Sequence, residues 1–394
     1  MKNVTLGTLL LYLSLFVARS LSQDVPPYTE DCRTDAYPPS AKDIPVKTYV
    51  LNLDLPPQQR WANLAKEKAP QIKDMINSII NLVGSVVNTT EAIAFVDKEF
   101  ALLADGLPAP YGDEMKGIAT AANIPLGQVV LYNVFYELFT LCTSIVAEAP
   151  NGTLYHARNL DFGLFLGWDV ENDTWSLSEK LRPLIINVDY QSKGETVARA
   201  VHFAGYIGVL TGVKPGVLTL SMNERFQLDG GYIGFIKWLL GDHSGKWMGF
   251  FIREVLVDSI SYEAAKKSIM TEELLAPAYF ILGGNSSGQG CVITRSRETM
   301  DNLEEMTKTE SGWFVLQTNY DNWKNAPFFD DRRTPGDKCM NRLTQNKVGL
   351  AGIYNVLSTK PVLNLLTTYT ALMQVNTGYL ETYIRNCPQP CFPW

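Results

Sequence analysis

Phe139-Thr140-Leu141-Cys142-Thr143-Ser144-Ile145-Val146 is followed at short range by Tyr155-His156-Ala157-Arg158-Asn159-Leu160-Asp161. Between the two runs lies Pro150-Asn151-Gly152, and Asn-Gly is a strong hairpin signal. Two strands folding back there bring Cys142, Arg158 and Asp161 to one strand end. A Cys in an apolar run is most often a small core residue, and Arg158 with Asp161 is then an ordinary surface pair. The spacing argues for more, because a thiol, a guanidinium and a carboxylate at one strand end can act together.

Working outward, the hydrophobic period changes at Cys142. Upstream, residues 57–141 read as helical. Ile72, Met75, Ile76, Ile79, Ile80, Val83 and Val87 recur at helical spacing. Gly127 to Thr140 is apolar almost all round, which predicts a buried helix running straight into Cys142. Before this block, Tyr49 to Leu55 alternates as a strand does, and residues 23–46 form a Pro-rich arm. Downstream the period is that of strands: 142–148, 154–160, 184–190, 196–204, 206–212 and 217–224. Helices are expected at 229–241, 247–258 and 261–270, then strands at 277–283, 289–296 and 313–319. A Pro/Asp/Arg-rich loop (321–338), a helix near 350–357 and a hairpin of 366–375 with 379–385 complete the chain. Strand runs on either side of helices predict an α+β fold, with sheets packed face to face and covered by helices.

The chain has 394 residues, 46% hydrophobic and 19% charged, enough to bury a sizeable core. A net charge of −7 and the lack of any Lys/Arg-rich run argue against nucleic-acid binding. Lys2, the apolar run Val4 to Ala18, and Ser20 and Ser22 form a secretory signal, with cleavage expected near Ser22-Gln23. Sequons at Asn88, Asn151, Asn172 and Asn285 agree with passage through the secretory pathway. An oxidising compartment permits bridges among the six cysteines. Cys387-Pro388-Gln389-Pro390-Cys391 suits a local bridge, and Cys32 and Cys339 are able to pair over a long loop. A nucleophilic Cys142 must stay free, which leaves Cys291 over. With no paired CxxC units, and His156, His202 and His243 out of ligand spacing, metal binding is not expected, nor is any cofactor.

So few histidines suggest a base that is not an imidazole. If the Leu141–Cys142 bond is cut, Cys142 gains an α-amine able to act as base for its own thiol. Arg158 would depress that amine and favour the thiolate, and Asp161 would hold the amine or Arg158 in place. Asn319, ending the strand from Trp313, is a candidate donor to a tetrahedral oxyanion, although an Asn before Tyr320-Asp321 also suits a plain turn. Glu224, beside Arg225, reads first as an exposed salt bridge, and the run Asp330-Asp331-Arg332-Arg333 as a solvated loop. Apolar aromatic stretches at Phe162 to Trp168, Tyr232 to Leu240 and Trp247 to Phe251 read as core, with a lipid channel and rim as the alternative.

Several of these pieces resemble the acid ceramidases, a family of lysosomal N-terminal-nucleophile amidases. They are Tyr28 to Cys32, Glu137 to Ala147, Asn159 to Trp168, Asn223 to Phe226, Leu275 to Gly284, Gln317 to Asp321, Asp330 to Pro335 and Cys387 to Cys391. The Cys-Thr-Ser-Ile-Val and Arg-Asn-Leu-Asp parts are shared with the related N-acylethanolamine acid amidases. The resemblance implies an αββα sandwich of two stacked antiparallel sheets. It implies a signal peptide at 1–22, a mostly helical α-chain at 23–141 and a catalytic β-chain at 142–394, separated by self-cleavage between Leu141 and Cys142. By family pattern Cys142 is nucleophile and base, Arg158 and Asp161 support it, Asn319 falls at the oxyanion hole, and Glu224 and Arg332 match the remaining active-site positions. A Cys32–Cys339 bridge would keep the chains joined. The implied substrate is ceramide, met in the lysosome lumen with a small sphingolipid activator protein (a saposin) at an anionic membrane surface. The alternatives are an N-acylethanolamine amidase with the same mechanism and a non-catalytic lipid-binding glycoprotein.

Overall fold

A computed structural model of the chain describes residues 29–39, 46–84, 93–135, 140–162, 167–226, 231–307, 309, 312–327 and 329–391. The signal segment and Asn88 lie outside the described residues. In chain order the main elements are β1 (Thr48–Asn52), α1 (Ala62–Gly84), α2 (Tyr111–Ala122), α3 (Leu126–Phe135), β2 (Thr140–Glu148) and β3 (Leu154–Phe162). The two-residue strands β4 (Trp168–Asp169) and β5 (Thr174–Trp175) come next, then β6 (Ile185–Ser192), β7 (Glu195–Phe203), β8 (Thr211–Lys214) and β9 (Leu218–Glu224). Helices α4 (Gly231–Leu239), α5 (Met248–Asp258) and α6 (Tyr262–Thr271) lead to β10 (Ala278–Gly283), β11 (Gly290–Arg295), β12 (Met300–Glu305) and β13 (Phe314–Gln317). The chain closes with α7 (Arg333–Leu343), α8 (Leu350–Leu357), β14 (Thr367–Gln374) and β15 (Tyr379–Ile384).

Two sheets carry the fold. One has eight strands in the order β1-β6-β7-β8-β9-β10-β11-β12, and the other five in the order β13-β2-β3-β14-β15. They stack face to face, with β2 against β9 and β10, and β14 against β8. Helices α5 and α6 cover the larger sheet, and α7 and α8 the smaller. Val146, Tyr279, Ile281, Val292 and Val315 form an apolar core between the sheets. Ile145, Ala157 and Leu372 meet Met340, Ile353 and Leu357 in a second core, between the smaller sheet and its helices.

The segment before Cys142 is woven into this body. Strand β1 pairs parallel to β6, so the larger sheet is antiparallel except at that edge. Glu114 of α2 is fully buried and accepts from Arg253 of α5 (Nη2 2.7 Å), Arg60 (3.0 Å) and the Trp61 indole (2.6 Å). Asn355 caps the backbone N–H groups of Ala36 and Tyr37 at 2.8 and 3.0 Å, beside the Cys32–Cys339 disulfide.

Several elements differ from expectation. Of the helix expected over 127–140 the described part is Leu126–Phe135, and Thr140 already belongs to β2. The strand over 206–212 is Thr211–Lys214; before it, Gly205 sits at φ +92° and the Ile207 N–H goes to Asn133, so the backbone there turns. The loop at 321–338 ends early because α7 begins at Arg333, with Pro335 in its first turn, where no helical N–H is lost. β12 is an added edge strand, of polar sequence.

Candidate active site

The β2–β3 hairpin builds the site. Its turn is closed by the Ala149–Gly152 backbone bond, with Gly152 at φ +82°, a region that suits glycine. Cys142 lies opposite Leu160, and Ser144 opposite Arg158. Because side chains alternate along a strand, Cys142, Ser144, Arg158 and Leu160 share the face between the sheets. There the Arg158 Nη2 donates to the Cys142 Sγ, while its Nη1 donates to the Leu210 carbonyl (2.5 Å) and the Thr211 hydroxyl (2.8 Å). The buried cysteines Cys142 and Cys291 are free, and Cys387 is bridged to Cys391.

Asp161 stands opposite Leu141, one residue out of phase, and so leaves by the other face. It does not hold Arg158. Its carboxylate accepts from Arg332 Nη1 (2.9 Å) and the Thr367 hydroxyl (2.6 Å). Arg332, just ahead of α7, spends its whole fork here. Nη1 also reaches the Cys142 carbonyl (2.8 Å), Nη2 reaches the Asn319 Oδ1 (2.9 Å), and Asp330 accepts from Nε (2.6 Å) and Nη2 (3.0 Å). Burial opposes the Arg332 charge, but Asp330 and Asp161 overcome it and hold its pKa above the ordinary value.

Asn319 completes the grip. Its Oδ1 accepts the Cys142 backbone N–H at 2.7 Å, and its Nδ2 donates to the Glu224 carbonyl at 2.8 Å. Asn319 therefore binds the Cys142 backbone nitrogen through its oxygen and the Glu224 carbonyl through its amide. Glu224 enters through its backbone. Residue 142 is thus pinned at its N–H by Asn319, at its C=O by Arg332 and at its sulfur by Arg158.

Electrostatics depart from one expectation. Burial pushes the Cys142 thiol up to about 11, although Arg158 and Arg332 pull it down, and Asp161 adds to the rise. The buried thiol of the uncut chain is protonated at acidic and neutral pH. Burial also raises Asp161, against Arg332 and Thr367. The histidines offer no base to the sulfur. His156 binds the Ser221 hydroxyl (2.9 Å), and burial together with Arg158 drops it to about 3. His202 binds Tyr190 (2.8 Å), and burial with Arg253 lowers it to about 3. His243 stacks on Trp238. Among the described residues no group of three or more His, Cys, Asp or Glu is placed to hold a metal ion.

Sequence reasoning missed Asp330, Thr367 and Thr211 as partners of the site. Only Asp330 carried a signal, as part of its charge run. The aromatic stretches divide. Trp247, Phe250 and Phe251 are core, while Ile236, Leu239 and Leu240 on and after α4 are exposed, as are Phe226, Trp323 and Phe329. Residues 163–166 lie outside the described residues. No helix among the described residues is long and apolar enough to cross a membrane.

Comparison with known proteins places this site in a lineage. Residues 142–386 match the choloylglycine hydrolase family of linear amide C–N hydrolases, beginning at Cys142 itself. Residues 44–107 match the beta subunit of N-acylethanolamine-hydrolyzing acid amidase. The acid ceramidase of Pan troglodytes is 50% identical over 387 residues, covering 98% of both chains. That of Balaenoptera acutorostrata scammoni is 51% identical over 384 residues, covering 97% of both, and that of Mus musculus 49% over 384. Among solved structures, the Caenorhabditis elegans N-acylethanolamine-hydrolyzing acid amidase ortholog superimposes with a TM-score of 0.53 at 31% identity, covering 62% of this chain and all of that one. Its N-terminal-nucleophile hydrolase fold is the two-sheet sandwich described above. The chain belongs to the acid ceramidases, within the choloylglycine hydrolase family of linear amide C–N hydrolases.

Proposed function

We propose that this chain hydrolyses the N-acyl amide bond of ceramide to sphingosine and a free fatty acid, after cutting itself between Leu141 and Cys142. One observation carries the reading: Asn319, Arg332 and Arg158 together hold the N–H, C=O and sulfur of Cys142. A structural cysteine has no use for that arrangement. In the uncut chain the Cys142 nitrogen is a peptide nitrogen and cannot accept a proton. The cut converts it to an amine, which takes the thiol proton as the sulfur attacks the substrate carbonyl carbon. The C–N bond then breaks, and the ammonium returns that proton to the leaving sphingosine nitrogen. The same amine takes a proton from the water that hydrolyses the thioester. Arg158 disfavours the ammonium and favours the thiolate. The Asn319 Nδ2, held by the Glu224 carbonyl in the uncut chain, is the candidate oxyanion donor once it turns to the substrate, and Glu224 completes the site.

On this reading residues 1–22 are a signal peptide, 23–141 the α-chain and 142–394 the β-chain. The enzyme works in the lysosome lumen, with glycans at Asn88, Asn151, Asn172 and Asn285. The Cys32–Cys339 disulfide would tie the two chains after the cut. Exposed Phe226, Ile236, Leu239 and Leu240 favour contact with a lipid surface or a sphingolipid activator protein. A second reading, N-acylethanolamine hydrolysis, draws on the match over residues 44–107. Parallel assays with ceramide and N-acylethanolamines separate the two. Cys142→Ala is expected to stay a single chain with no amidase activity; an active Cys142→Ala protein sinks the mechanism.

A further inference from the structure

Arg158 is a buried cation that no carboxylate in hydrogen-bond range compensates among the described residues. Its Nε has no hydrogen-bond partner. Apart from the sulfur, its hydrogen-bond partners among the described residues are two neighbouring acceptors met by Nη1 at the start of β8: the Leu210 carbonyl and the Thr211 hydroxyl. The Thr211 hydroxyl is shared in turn with the Tyr369 phenol at 2.8 Å. Tyr369 belongs to β14 of the smaller sheet and Thr211 to β8 of the larger, so the chain Arg158–Thr211–Tyr369 straps the two sheets together beside Cys142. All three side chains are buried.

The backbone under Thr211 has little freedom. It pairs with Val201 on one side and Ser221 on the other. At the next residue, Gly212, a Cβ would stand 2.4 Å from Leu256 and 2.9 Å from the Arg199 carbonyl oxygen, so β8 is pressed against β7 and α5. A rigid acceptor of this kind fixes the direction in which the guanidinium points. The carbonyl of Leu210 alone leaves rotation about that contact open.

From this geometry we infer that Thr211, backed by Tyr369, is a positioning residue for the amidase reaction: it aims the Arg158 guanidinium at Cys142. The inference rests on the role given to Arg158 above. Loss of the hydroxyl leaves the charge in place but lets it drift from the sulfur and the new amine. Both then hold their protons to higher pH, and the acid limb of the activity profile moves up. The other titratable or charged groups around this point are His156 on β3, Tyr369, and, around Cys142, Asp161 and Arg332; of these Tyr369 alone bonds Thr211, and Tyr369→Phe reports its share.

The test uses wild type, Thr211→Val, Thr211→Ser and Tyr369→Phe as cut, disulfide-linked enzymes. Val keeps the β-branched shape without the hydroxyl, and Ser keeps the hydroxyl. Steady-state ceramide hydrolysis and the rate of Cys142 alkylation by iodoacetamide are measured against pH. Thr211→Val is expected to lower kcat by about tenfold with KM within about twofold, and to shift the acid limb and the alkylation midpoint up by about half a unit or more. Tyr369→Phe shifts both less, and Thr211→Ser restores most of kcat. Profiles for Thr211→Val and Tyr369→Phe that coincide with wild type overturn the inference, as does a Ser variant displaced as far as Val. Alkylation needs no substrate, so it decides the point even if the wild type fails to hydrolyse ceramide, an outcome that would sink the substrate reading alone.

Discussion

Arg332 and Arg158 lie on opposite sides of Cys142 and do different work. Arg158 faces the sulfur, while Arg332 holds the Cys142 carbonyl and keeps two carboxylates, Asp161 and Asp330, neutralised in the interior. A planar fork can satisfy that many acceptors at fixed angles, and an ammonium cannot. Arg332→Lys is therefore expected to slow self-cleavage by about tenfold or more, because the Cys142 backbone loses its fixed orientation. A time course on reducing gels measures this, and a variant cut as fast as wild type would contradict it. The pairing was not legible in advance. Arg332 sat in a charge run that reads as solvated loop, and 171 residues separate it from Asp161. Cys142, Arg158 and Asp161 were legible because a hairpin of known register joins them. Which arginine Asp161 serves depended on strand alternation, and the apolar run before Cys142 obscured its phase.

At the level of elements, the helices before Cys142 owe their seating to a few close approaches. A Cβ at Gly117 of α2 would stand 2.0 Å from the Gln58 carbonyl oxygen, backbone against backbone. The adjoining Arg60 and Trp61 cap the buried Glu114. Gly117→Ala is expected to destabilise the protein by about 1–3 kcal/mol. Denaturant unfolding measures this, and unchanged stability would count against so tight a contact. Long periodic elements such as α1 and the β14–β15 hairpin were readable because their patterns repeat. Three elements were not, each for its own reason. In α7, Pro335 and Gly336 look like loop residues although a first turn accepts them. β12, Met300–Glu305, lies at a sheet edge and lacks an apolar face. Residues 127–140 form one apolar run, and in such runs helix and strand cannot be told apart by period.

Across the whole molecule, burial of neutral histidines sets a response to pH. His202 is held down to about 3 by burial and Arg253, against an ordinary value of 6.5, so between those values the unfolded chain binds the extra proton. Its contribution is complete above pH 6.5 and is lost as pH falls. At pH 5 the loss is about 2 kcal/mol. His156 adds a loss in the same direction. His202→Gln is expected to narrow the fall in unfolding free energy from pH 7 to pH 5 by about that amount, whatever its stability at pH 7. An equal fall in both proteins would show that His202 titrates normally.

The central claim is that cutting Leu141–Cys142 makes the catalyst. It is tested most directly by the intact mass of the reduced protein during acid incubation, with ceramide hydrolysis assayed on the same samples. Two chains are expected, the larger beginning at Cys142, with activity that rises in step with them. Full ceramide hydrolysis by a chain still continuous from Leu141 to Cys142 would contradict it.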